Sequence, residues 1–182
     1  MRKTQSQQLR IIGGKWRSRR LSFPAIEGLR PTLDRIRETA FNWLQYDIEG
    51  KRVLDAFAGS GALGFEALSR GAKQVQFLEK SAQAAAQIKA NIALLEVANA
   101  QVWAGDSLQW LAQNPTDFQV VFLDPPFHQN LLQPALDKLQ LTAGALVYVE
   151  HEPELRPNWP NNWLERKNKS SKEFCFRLFE VV

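Results

Sequence analysis

Cysteine is almost absent. Cys175 stands alone among 182 residues, so no disulfide can form within the chain, and a cysteine-based zinc site is excluded with it. Histidine is nearly as scarce. His128 and His151 share no metal-ligand spacing, and no metal is expected. No apolar run reaches the length of a membrane span. The opening MRKTQSQQ lacks the apolar stretch of a secretory leader, which makes a reducing, cytoplasmic setting the expectation. Neither internal repeats nor low-complexity blocks occur beyond the short Gln-rich head. What the chain does not lack is core-forming material: hydrophobic residues are 45% and charged residues 23%, which rules out a mainly disordered polypeptide.

Charge is present but unevenly placed. Residues 1–37 carry ten Lys and Arg against Glu27 and Asp34, a net +8, while the remaining 145 residues sum to −4. A basic head on a mildly acidic body points to a polyanion held at one end. A merely solvated tail would not need Ile11, Ile12, Trp16 and Leu21 interleaved with the arginines.

Residues 1–8 are polar, and disorder is expected there. Residues 9–23, with Gly13-Gly14, predict a hairpin or paired strands. Arg30-Pro31-Thr32 opens a helix that Thr32 can cap, with Leu33, Ile36, Ala40, Phe41 and Leu44 at helical spacing. Beyond Gly50 the pattern alternates. Strands are predicted at 52–57, 74–79, 101–104, 119–124 and 145–150, with helices at 61–70, 81–95, 107–113 and 131–139. Residues 163–169 and 174–181 predict a closing antiparallel hairpin. Strands alternating with helices imply an α/β fold with a parallel sheet covered on both faces.

Two motifs carry chemistry. Asp55-Ala-Phe57-Ala-Gly59-Ser-Gly61-Ala-Leu-Gly64 lies between a strand and a helix, where glycines permit a sharp turn and close approach of a ligand to the main chain. Glu79 ends the next strand, placed to accept hydrogen bonds from ribose hydroxyls. NAD and S-adenosylmethionine (SAM) both satisfy that pattern. Asp55 separates them, because a pyrophosphate would be repelled there and the ammonium and sulfonium of SAM attracted. Asp106, followed by Ser107, ends the third strand and suits an adenine amino group, although an N-cap for the next helix is an equal use.

The second motif is Asp124-Pro125-Pro126-Phe127, directly after the fourth strand. It suits an exocyclic amine acceptor. The Asp124 carboxylate and the Pro125 carbonyl can hold both amine hydrogens, which aims the nitrogen lone pair at the methyl donor. The prolines stiffen the loop in advance, and Phe127 can stack on a base. A rigid post-strand turn is the bland reading of the same residues.

These residues resemble the amino-group SAM-dependent methyltransferases. The stretch Arg10-Ile-Ile-Gly-Gly-Lys15-Trp-Arg17-Ser-Arg19-Arg20-Leu21, followed by Gly28-Leu-Arg30-Pro-Thr-Leu-Asp-Arg35-Ile-Arg37 and continuing to Asn42, narrows the resemblance to the RsmD family. That family methylates N2 of a guanine in 16S ribosomal RNA (G966 in rRNA numbering). The resemblance implies a Rossmann-like, seven-stranded class I methyltransferase sheet over residues 51–182. It also implies a basic N-terminal extension over residues 1–50, a hairpin plus helix that grips RNA. Asp55, Phe57, Gly59, Gly61, Glu79, Asp106 and Ser107 would hold SAM, and Asp124 to Phe127 the guanine. Arg10, Lys15, Arg17, Arg19, Arg20, Arg30, Arg35 and Arg37 would contact RNA. The implied partner is 16S rRNA within the small subunit or an assembly intermediate, met by a monomer with no membrane involvement. Ser18 stands where glycine is common in the family, and the Pro- and Asn-rich stretch 151–162 is peculiar to this chain. Three rivals share features: an adenine-N6 methyltransferase, a protein-glutamine methyltransferase and a non-catalytic RNA-binding relic. An NAD(P) oxidoreductase would leave the Asp-Pro-Pro-Phe loop unexplained.

Overall fold

The structure is a computed structural model and describes residues 6–26, 34–114 and 117–182. A two-stranded antiparallel ribbon comes first, β1 (Ser6–Arg10) and β2 (Arg20–Pro24), with Leu9 opposite Leu21. Helix α1 (Asp34–Trp43) follows. Then come β3 (Arg52–Asp55), α2 (Ala62–Ser69), β4 (Gln74–Glu79), α3 (Ala82–Leu94), β5 (Ala100–Ala104) and α4 (Ser107–Gln113). The chain closes with β6 (Val120–Leu123), α5 (Leu132–Lys138), β7 (Leu146–His151), β8 (Trp163–Ser170) and β9 (Cys175–Val181). Seven strands form one sheet in the order β5-β4-β3-β6-β7-β9-β8. The first five in that order are parallel, and β9 runs antiparallel between β7 and β8. The predicted elements are therefore present, with ends displaced by a residue or two, as expected at frayed termini. Strand β1 starts at Ser6, earlier than the polar composition of residues 1–8 suggests.

Alternation along each strand feeds two separate cores. Val53, Val75, Phe77, Val120, Phe122 and Tyr148 face one side with α1, α2 and α3. Leu54, Leu78, Val121, Leu123, Val147 and Val149 face the other with α4 and α5. This is the period-two pattern of a sheet buried on both faces. Helix α2 is buried all round, and Gly64 explains its closeness to the sheet: a Cβ there would come within 2.2 Å of the Phe77 ring.

The basic extension is not a separate body. Leu9, Ile11, Leu21, Phe23, Ile36 and Phe41 belong to the same continuous core as Val53 and Phe77. Its main joint is Glu66, which is fully buried within α2. Glu66 accepts from the Ile12 and Gly13 amides (2.9 and 2.8 Å) and from Arg70 Nε (2.8 Å), and Arg37 Nη1 lies 3.7 Å away. Ser69 continues the seam, accepting from the Trp16 amide at 2.9 Å and donating to the Gly13 carbonyl at 2.6 Å. Gly14 has φ +75°, and a Cβ on it would meet the Ser69 carbonyl at 1.9 Å. Close approach to α2, as much as turning, is what the Gly-Gly pair provides. Ser18 also sits at positive φ, 69°, in the left-handed region that favours glycine. That accounts for the glycine common at this position.

Arg37 corrects the expectation drawn from charge. Its side chain is 1% exposed and donates to the Arg10 carbonyl (2.7 Å) and to Asp34 (2.6 Å). It is a structural cation of the joint and is not available to RNA. Arg10, Lys15, Arg17, Arg19, Arg20 and Arg35 are exposed. Arg30, with the Thr32 cap, lies outside the described residues. Trp16 is half-buried against the core, with Lys15 Nζ 5.4 Å from its ring centre. Trp43 and Trp110 pack on Phe176 and Phe118, as expected of core aromatics. Cys175 is buried.

Candidate active site

Strands β3 to β7 are parallel, so their C-terminal ends share one edge. The sheet changes direction of progression between β3 and β6, and ligands of open α/β sheets bind at such a switch point. Asp55 ends β3 there, and Asp124 directly follows β6 beside it. Glu79 ends β4, and Asp106 lies just past β5. The expected gathering of strand-end carboxylates is therefore present.

The individual tasks differ from the simplest expectation. Asp55 is 2% exposed, and one of its oxygens accepts from the Gly64 amide at 2.9 Å. It lies beneath the glycine turn and holds it from below. Burial, opposed by the Gly64 bond and reinforced by the charges of Asp124 and Glu79, raises its pKa to about 7. Glu79 braces the turn from the side, accepting from the Gly59 amide through Oε2 and from the Ser81 amide through Oε1, both at 2.7 Å. Burial raises its pKa despite those bonds. Asp106 performs the helix-cap role: Oδ1 accepts from the Gln109 amide at 3.0 Å. Its Oδ2 lies 3.9 Å from Lys80 Nζ. Gly59 and Gly61 have φ of 55° and 80°, and the Gly61 amide closes the turn on the Ala58 carbonyl at 2.7 Å. Phe57 is half-buried and Ser107 is buried at the first turn of α4.

The Asp124–Phe127 loop sits across the switch point from the glycine turn. Asp124 and Phe127 are half-buried, Pro125 is buried, and Pro126 is exposed. The loop leaves through His128 and Asn130, both at positive φ. The His128 amide donates to Glu152, just past β7.

Sequence reasoning missed what lies under this loop. Glu150 and Tyr148, both buried on β7, face it as a pair, the Tyr148 hydroxyl donating to Glu150 Oε1 at 2.9 Å. Burial and the nearby Asp124 charge push the Glu150 carboxyl well above the usual range. A signal was present, since Glu150 interrupts an otherwise apolar strand, and a buried carboxylate needs a partner.

A pH signature follows from Asp55. Its carboxyl titrates near 3.8 when unfolded and near 7 when folded. Between those values the folded state binds the extra proton, so stability falls as pH rises through that window and levels off above it. Asp55→Asn keeps an oxygen for the Gly64 amide and removes the proton. Urea midpoints measured from pH 4 to 7.5 should decline less steeply for the variant than for the wild type. Parallel curves would contradict the assignment.

The acceptors present fit an adenosyl cofactor. The turn brings bare backbone to the edge, and Glu79 and Asp106 each retain acceptor capacity beyond the bonds described. Among the described residues no group of three or more His, Cys, Asp or Glu could hold a metal ion, and no helix is long and apolar enough to cross a membrane.

Comparison with known proteins places this architecture. The family model described as conserved hypothetical protein 95 matches residues 9–180. Ribosomal RNA small subunit methyltransferase D of Escherichia coli K12 is 44% identical over 180 residues, covering 96% of this chain and 91% of the relative. The protein of the same name from Haemophilus influenzae is 46% identical over 181 residues, covering 95% and 94%. The chain belongs to the RsmD family. A solved Escherichia coli structure carrying a methyltransferase name superposes on this RsmD-family chain with a TM-score of 0.88 at 42% identity, covering 96% of this chain and 98% of that one. A Streptococcus mutans structure named for a SAM-dependent methyltransferase, 12% identical with a TM-score of 0.70, covers 100% of this chain and 57% of its own. At that identity it shows the fold alone, which is the class I methyltransferase sheet. The RsmD-family chain is a methyltransferase.

Proposed function

We propose that the protein transfers a methyl group from SAM to the exocyclic N2 of a guanine in 16S rRNA, the nucleotide numbered G966, presented by the small subunit or an assembly intermediate. The observation that carries this reading is the pairing, across one switch point, of the glycine turn braced by Asp55 and Glu79 with the Asp124–Phe127 loop. The names of the relatives support ribosomal RNA as the acceptor.

When bound, SAM supplies an electrophilic methyl on a sulfonium centre. Glu79 would accept from the ribose hydroxyls and Asp106, through Oδ2, from the adenine amine, while the turn at Gly59 and Gly61 admits the cofactor against bare backbone. The target base must leave its stack, at a cost of a few kcal/mol, and stacking on Phe127 returns about 1–3 kcal/mol of that. Asp124 and the Pro125 carbonyl accept the two amine hydrogens and orient the nitrogen lone pair. The new carbon–nitrogen bond forms as the carbon–sulfur bond breaks. The methylated nitrogen is then cationic and releases its proton to Asp124 or to water. Lys15, Arg17, Arg19 and Arg20, exposed together on the hairpin, suit the phosphate backbone of the acceptor.

The test is methyl transfer from labelled SAM to small subunits lacking the modification, to naked 16S RNA and to unmodified DNA, with the product nucleoside identified. N2-methylguanine in the subunit or its RNA is expected. Label in N6-methyladenine would overturn the target and keep the loop chemistry. SAM binding without label in any nucleic acid would overturn the acceptor class.

A further inference from the structure

A concave site lies beyond the acceptor loop, at the same end of the sheet. It has a volume of about 490 Å³ and lies between the 151–159 segment and the turn joining β8 to β9. That volume is within the range of sites that hold small ligands. His151, Arg156, Trp159 and Arg177 line it, and Ser170 and Ser171 form part of its wall. None of these residues takes part in the chemistry described above.

The hydrogen bonds fix the charge state of this cleft. His151 Nδ1 lies 2.7 Å from the Glu152 carbonyl, an acceptor only, so Nδ1 carries the hydrogen. Arg177 Nε, a donor only, lies 3.3 Å from Nε2, so that nitrogen carries the lone pair. The imidazole is thus neutral in this arrangement. Burial first, then the Arg177 and Arg156 charges, hold its pKa below the ordinary value against the opposing pull of Glu152. The Arg177 and Arg156 guanidiniums lining the cleft would attract an anion. Arg177 pairs with Glu165 and lies 5.8 Å from the Trp159 ring centre. Arg156 is exposed and donates to carbonyls of its own loop, those of Pro153 and Leu155. Lys169 and Lys172, exposed on either side of the Ser170-Ser171 turn, extend the positive surface outward.

Position connects the cleft to the reaction. His151 lines it, and the next residue, Glu152, holds the amide of His128 at the end of the acceptor loop. An indole beside guanidinium groups is the pairing that single-stranded nucleic acid uses, with the base stacked and the phosphate neutralised. We propose that this cleft is a nucleotide subsite that takes the base and phosphate of a residue flanking the guanine to be methylated. The proposal rests on the reading that the acceptor is RNA.

The test uses the full chain with small subunits as acceptor. Arg156→Glu changes an exposed side chain and leaves the core untouched. It should raise the KM for the RNA acceptor about ten-fold and reduce the salt slope of RNA binding by about 1, with the SAM affinity measured by calorimetry unchanged. Trp159 packs on Phe179 at 4.6 Å, so Trp159→Ala is paired with Trp159→Phe. The alanine variant should raise KM about ten-fold, and the phenylalanine variant should restore most of it. Acceptor RNA carrying 5-iodouridine beside the target should cross-link within residues 151–177. A wild type that labels RNA, with variants matching it in KM and salt slope and cross-links elsewhere, overturns the cleft alone. A wild type that binds SAM and labels no RNA overturns the acceptor reading, and the cleft proposal with it.

Discussion

Asp124→Ala should lower the rate of methyl transfer by about a hundred- to a thousand-fold or more, the usual cost of removing a preorganised polar group from the reacting centre. SAM affinity should survive, because the glycine turn is held by Asp55 and Glu79 from the other side of the switch point. Calorimetry with SAM and single-turnover transfer to the RNA acceptor measure the two effects separately. Near-normal transfer by the variant would remove Asp124 from the reaction. Asp124→Asn is a more informative partner. It keeps an oxygen that can accept one amine hydrogen and deletes a negative charge that raises both Asp55 and Glu150. It should retain more activity than the alanine variant. The pH dependence of Asp55 should also move toward lower pH, because one of the like charges opposing its ionisation is gone.

The largest stability effect is expected at Glu66. Glu66→Ala strips two backbone amides and Arg70 of their acceptor and removes one of the two carboxylates beside Arg37, which is 1% exposed and keeps Asp34. Breaking a buried pair from one side costs about 3–5 kcal/mol, a large part of the about 5–15 kcal/mol that holds a domain together. Urea unfolding should show the loss, and limited proteolysis should find the 11–19 connection newly open. Glu66→Gln should fall between the two: its single amide oxygen still accepts from one of the two backbone amides, while the other amide loses its acceptor and the charge is gone. A Glu66→Ala protein within about 1 kcal/mol of wild type would show that the joint does not depend on this carboxylate.

The order of strands and helices was legible because the two periodicities are strong. RVLD, QVQFLE, VVFL and LVYVEH are short, largely apolar and turn-bounded, and the α3 stretch repeats Ile88, Ile92 and Leu95 at helical spacing. The site was legible as a location, since strand-end carboxylates of parallel strands must share an edge. Their bonding was not legible. Composition cannot tell whether Asp55 meets a ligand or the Gly64 amide, and Asp106 turned out to cap α4. Arg37 shows the limit of counting charge: formal charge says nothing of burial, and this guanidinium lies inside. Glu66 carried a readable signal, a single acid in the apolar helix ALGFEALS, whose significance appears only when both faces of the helix are known to be covered. Glu150 showed itself as a lone acid in an apolar strand, but its pairing with Tyr148 beneath the acceptor loop appears only once the sheet order is known.

The joint at α2 also bears on portability. The helix has eight residues, a rod of about 12 Å. The glycine turn enters one end of it, and the basic hairpin is fastened along its middle and far end. The hairpin cannot therefore be treated as an attachment to be moved between scaffolds. A host sheet would have to offer a carboxylate at the Glu66 position, a hydroxyl at that of Ser69 and a bare apolar flank for Leu9, Ile11 and Phe23. Without them, the graft would bring exposed oil and two unmatched amides in place of a grip.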